Sequence, residues 1–165
     1  MILGISAATY TFLHVLISLV GIGSGIMAMY GFLTSRRWDG MNAIFLIATV
    51  LTSVTGFGFP FEHLLPSHKV AIISFVVLAV AIAARYGFHL AGGSRKIYVI
   101  TAAIALYLNV FVFVVQAFLK QPALHALAPE GKEPPFLAAQ IVVMVIFIVL
   151  TVFAVKKFHP DPASA

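Results

Sequence analysis

Residues 136–155 read FLAAQIVVMVIFIVLTVFAV. This run carries no charge, and its polar side chains are Gln140 and Thr151. A helix needs roughly 20 apolar residues to cross about 30 Å of hydrocarbon, so the run has the length of one membrane span. It does not alternate every second residue, as a strand of a membrane barrel would. Four further runs of the same kind lie upstream, at about 9–33, 41–60, 70–90 and 97–119. The breaks between them gather Pro, Gly and charge: residues 35–40 read SRRWDG, 91–96 read AGGSRK, and 120–135 hold four prolines. The expected fold is all-α, a polytopic integral membrane protein built as a bundle of five transmembrane helices.

Composition agrees. Of 165 residues, 62% are hydrophobic and 9% charged, too few charges to build a water-facing surface. Intrinsic disorder, a nucleic-acid-binding tail and an ordinary cytosolic enzyme are excluded on this ground. One transmembrane domain is expected over 1–157, followed by a short flexible tail at 158–165. The first apolar stretch has no basic residue ahead of it and no A-x-A site, so it is expected to stay in the mature chain. The chain has no cysteine, which removes cysteine-ligated clusters, thiol redox chemistry, disulfides and c-type haem attachment.

Charge sets the expected orientation. Arg36, Arg37, Arg85, Arg95, Lys96, Lys156 and Lys157 fall at one end of the spans, against Lys69, Lys120 and Lys132 at the other. The positive-inside rule then puts the N-terminus outside and the C-terminus in the cytoplasm, in what is expected to be a bacterial plasma membrane. The basic residues are expected to meet anionic headgroups, with Arg85 snorkelling to them. No nucleic-acid partner is expected. The partner is the lipid bilayer, with a membrane-protein subunit or a second copy of the chain as a further expectation.

Four of six histidines fall at the outer end: His14 in the first span, His63 and His68 in and beside the 60–69 connection, and His125 in the long 120–135 connection. An imidazole facing lipid is costly, so His14 is expected to look into the bundle. It shares one helix face with Thr11, Ser18, Gly21 and Gly25, and the Gly21-x-x-x-Gly25 pair lets a second backbone come close. Ser53, Asn109, Gln116 and Gln140 join Ser18 as candidate lining of a polar pocket in the outer half. The competing reading of these amides and hydroxyls is helix-to-helix hydrogen bonding.

Imidazole nitrogens can ligate haem b or a transition metal. His14, His63, His68 and His125 are the candidate cofactor ligands, with Glu62 beside His63 and His68 for a metal. The functional expectation is a small membrane redox protein, engaged in electron transport, with its haem or metal site in the outer half. The alternatives are an accessory or assembly subunit of a larger membrane complex, using small-residue faces for partner helices, and a small transporter using the polar stripes as a solute path. No Asp or Glu lies within any span, which disfavours an ion-coupled pump. Residues 121–135, with Leu124 and Leu127, are expected to fold over the bundle as a lid.

Overall fold

A computed structural model of the chain describes residues 2, 4–59 and 66–160. It is helical, with no strand among the described residues. The helices are α1 (Ala7–Leu33), α2 (Asp39–Gly56), α3 (Pro66–Ile82), α4 (Ser94–Lys120), α5 (Pro122–Leu127) and α6 (Pro134–Lys157). A π-helical turn, Ala83–Gly87, continues α3. Five of these helices, counting α3 with its turn and leaving out α5, are long and apolar enough to cross a membrane. The protein is an integral membrane protein of five spans.

Each boundary has a local cause. Ser6 caps α1 by accepting the Thr9 amide at 3.1 Å. The second span stops at Gly56, short of the expected 60, because α1 intervenes. The Tyr10 hydroxyl donates to the Thr55 carbonyl at 2.8 Å. A Cβ at Gly58 would lie 1.9 Å from that hydroxyl oxygen, so only glycine fits beneath the ring. The third span ends at Gly87 rather than 90, because His89 and Leu90 turn into the left-handed region at φ +49° and +58°. Pro122 and Pro134 start α5 and α6, where a missing backbone N–H costs nothing.

In the bundle α1 packs on α2, α4 and α6, while α4 packs on α3, α6, α1 and, more lightly, α2. The closest helix approach uses Gly25, which is buried against Phe45 of α2 and Leu106 of α4. Helix α6 is the most apolar span and the least enclosed, as suits a helix with lipid on most sides.

The apolar core is not spread evenly along the spans. Ala28, Met29 and Phe32 of α1, Phe45 and Leu46 of α2, Leu78 of α3 and Tyr98 to Leu106 of α4 all lie in the half nearer the basic residues, as does Phe158 after α6. The opposite half buries Tyr10, Thr49, Ser53, His68, Ser74 and Gln140. The basic end thus holds most of the apolar cluster together with buried Asn42 and Arg85, and the other end buries mainly polar side chains.

Two expectations at the basic end change. Arg85 does not snorkel: it is 4% exposed and pairs with Asp39 at the start of α2. Its guanidinium also lies over the Tyr98 ring, 5.0 Å from the centroid. The free tail does not begin at 158. Phe158 is fully buried against Phe32, with ring centroids 5.0 Å apart, and its carbonyl accepts from Arg95. The His159 amide then donates to Ser35 Oγ at 2.9 Å, while 161–165 lie outside the described residues.

Candidate cofactor site at the histidine end

His14 sits two turns into α1, half-buried, and looks across to α2. Its Nδ1 lies 2.7 Å from Thr55 Oγ1. The roles in this contact depend on the ring tautomer. The Thr55 hydroxyl also reaches the Leu51 carbonyl at 2.7 Å. With its proton directed there, the threonine oxygen accepts from His14 Nδ1 and the neutral imidazole keeps its lone pair on Nε2. Phe59 stands edge-on to the ring at 5.2 Å and edge-on to Tyr10 at 5.1 Å. Gly56 passes 3.9 Å from His14 Cε1, at the position of an added Cβ. The imidazole is held by a hydroxyl on one side and an aromatic wall on another.

His68 is the second inward histidine. It lies in the first turn of α3, 2% exposed, with its ring tilted on Phe57 at 5.3 Å. Phe57 stacks in turn on Phe75 at 6.0 Å. The connection 57–59 thus carries both aromatic neighbours, Phe59 for His14 and Phe57 for His68. His63 and Glu62 lie outside the described residues. His125 is exposed on α5, which rests on α4. Leu127 is likewise exposed, so α5 does not close over the bundle in the manner of the expected lid. Among the described residues no three His, Cys, Asp or Glu side chains converge as a metal-binding group.

The polar stripes mostly find partners within the bundle. Asn109 Nδ2 donates to Thr49 Oγ1 at 3.1 Å, beside Gly21. Ser53 donates to the Thr49 carbonyl at 2.9 Å, and Ser18 to the His14 carbonyl at 2.7 Å. Gln140 Nε2 donates to the Phe111 carbonyl at 3.2 Å, tying α6 to α4. Gln116 is half-buried on α4. The Asn109 and Gln140 bonds join two helices, while the Ser53 and Ser18 bonds return to their own helix backbones, and all four occupy side chains that a solute path would have used. Gly21 and Gly25 are consumed inside the chain in the same way, rather than left open to a partner helix. Two polar atoms of this half, Thr52 Oγ1 and Gln140 Oε1, are buried without a hydrogen-bond partner among the described residues.

What the sequence reading missed is Thr55 and Tyr10 as the groups that fix His14. Thr55 is 41 residues away, and nothing in the spacing of either helix pairs the two. No family model, curated protein or solved structure matches the chain, so the site stands on its own geometry.

Proposed function

We propose that this protein is a small membrane redox protein that holds a haem or a transition metal in its histidine half, with His14 Nε2 as a ligand. The single observation that carries the reading is the 2.7 Å hydrogen bond between His14 Nδ1 and Thr55 Oγ1. Ligating histidines donate their other ring nitrogen in this manner, which fixes the tautomer and the ring plane. The polar interior of the same half and the aromatic wall of Tyr10 and Phe59 support it. His68 is the second inward imidazole and the candidate for a further ligand. The seven-to-three charge split supports an outward-facing histidine end, with the basic end in the cytoplasm of a bacterial plasma membrane.

The test is the absorption spectrum and metal content of the detergent-purified protein, before and after dithionite. The expected result is a haem spectrum, or near-stoichiometric iron, copper or zinc. It should be lost in His14→Leu without loss of helicity, and Thr55→Val should weaken retention by about 10–100-fold. Wild-type protein that is colourless, metal-free and unable to take up added haemin, Cu2+ or Zn2+ would refute the proposal. So would a His14→Leu variant that keeps its cofactor.

A further inference from the structure

At the opposite end of the bundle, four separate segments close around a cleft of about 360 Å³. Arg37 comes from the α1–α2 connection, His89, Leu90 and Ala91 from the α3–α4 connection, Arg95 from the first turn of α4, and His159 and Pro160 from the chain after α6. We propose that this cleft binds a phosphate group, as the headgroup of a phospholipid or as a soluble phosphate.

The argument begins with charge. Asp39 is the one carboxylate near the cleft among the described residues, and two guanidiniums share it. Arg85 takes it directly, and Arg37 Nε stands 3.5 Å from the same oxygen. One negative charge thus faces two positive ones, and Arg95 adds a third, which donates to the Phe158 carbonyl. Among the described residues the groups at the cleft keep a net positive charge even with both imidazoles neutral. Arg37 Nε is buried beside Asp39 and makes no hydrogen bond among the described residues, so Asp39 does not fully satisfy this guanidinium. Arginine is the residue suited to phosphate, because its planar fork matches two phosphate oxygens.

The walls are fixed in place. His89 and Leu90 are in the left-handed region, which non-glycine residues seldom adopt without a local reason. The His159 amide is bonded to Ser35, and buried Phe158 anchors the residue before it. A loose basic surface attracts headgroups through long-range charge alone. Here donors from four segments converge on one cavity, which is the arrangement that recognises a single phosphate.

The experiment uses the full chain, delipidated in neutral detergent, with the imidazoles of His89 and His159 followed by NMR. One arm titrates inorganic phosphate against chloride at matched ionic strength. The other places the protein in nanodiscs of phosphatidylglycerol or of phosphatidylcholine. The expected result is a saturable shift of both rings in at least one arm. Saturation by phosphate names a soluble ligand, and a response confined to phosphatidylglycerol names a lipid. Arg37→Gln should weaken it about tenfold, the loss of one charged hydrogen bond. His159→Ala, which keeps the backbone bond to Ser35, serves as the second variant if Arg37→Gln melts early. Equal responses to phosphate and chloride together with equal responses to the two lipids would overturn the proposal. So would a folded Arg37→Gln or His159→Ala protein whose His89 ring responds as in the wild type. This outcome is independent of the histidine end, whose spectrum would be unaffected.

Discussion

Replacing Gly25 by alanine adds one carbon where α1, α2 and α4 come closest. An ideal Cβ there would stand 2.6 Å from Leu106 Cδ1 and 2.8 and 2.9 Å from two carbons of the Phe45 ring. Carbon atoms are at ease at about 3.5–4.0 Å, so each neighbour must retreat by about 1 Å. Neither has room, since Leu106 is 2% and Phe45 1% exposed. Overpacking of this kind costs about 1–3 kcal/mol. Alanine also removes the backbone freedom of glycine, a gain of about 0.5–1 kcal/mol in a helix. Gly23 isolates that second contribution, because an added Cβ meets nothing within 4 Å. Gly21 is intermediate, with Asn109 and Thr49 atoms at an ordinary 3.5 Å. Gly23→Ala should therefore stabilise slightly, Gly21→Ala should change little, and Gly25→Ala should fall below Gly23→Ala by about 1–3 kcal/mol. Unfolding in mixed detergent–SDS micelles, followed by circular dichroism, reads the difference. Gly25→Ala protein as stable as Gly23→Ala would refute the packing of α1 against α2 and α4 described above.

Three further outcomes are expected. Tyr98→Phe removes the hydroxyl that donates to buried Asn42 Oδ1 at 2.5 Å, and should cost about 1–3 kcal/mol in the same assay; an unchanged curve would contradict that bond. The Arg85–Asp39 pair is asymmetric, with side chains 3% and 47% exposed, so the two ways of breaking it should differ. Asp39→Asn strands a buried guanidinium, whereas Arg85→Met leaves a carboxylate that water can reach, and the first should destabilise more; the reverse order would count against the burial of Arg85. The Glu133 carboxyl accepts the Glu130 and Lys132 amides at 2.9 Å each, and these backbone bonds hold it below its ordinary 4.5. A lowered folded value means that the turn is supported above about pH 4.5 and loses that support as pH falls through the folded value. Side-chain NMR of Glu133 checks this, and a midpoint at or above 4.5 would refute it.

The five spans were legible because bilayer thickness is a physical ruler, and runs such as 136–155 match it without reference to any other part of the chain. Their ends were less legible. The stop at Gly56 depends on Tyr10 reaching the Thr55 carbonyl from another helix, 45 residues away. Arg85 was misread for the same reason. A lone arginine near a helix end looks like a headgroup anchor, and its partner Asp39 is distant in sequence. The inward aspect of His14 could be inferred from the cost of exposing an imidazole to lipid, but the identity of its partner could not. The basic cleft was legible only as basic residues gathered at one end, Arg37 and Arg95 among them, and not as a cavity. Its arginines and histidines come from four segments, and helical periodicity relates residues only within one element.

The division of the bundle into an apolar half and a polar half bears on where function sits. Lipid tails are as apolar as leucine, so helices in a bilayer gain little from hydrophobic burial and associate through close packing and hydrogen bonds. The basic half combines packing, with Phe32, Phe45 and Leu106 filling it and Gly25 letting the backbones approach, with the Tyr98–Asn42 and Arg85–Asp39 bonds. The histidine half relies on hydrogen bonds such as Asn109 to Thr49 and Gln140 to Phe111. Buried polar atoms without partners among the described residues occur in both halves, Thr52 Oγ1 and Gln140 Oε1 here and Arg37 Nε and Arg85 Nη1 at the basic end. A polar interior with unused donors and acceptors costs free energy in a membrane unless something occupies it. Both halves carry that cost, and in the half that contains His14 it bears on the proposed cofactor site, which the test of His14 and Thr55 variants addresses.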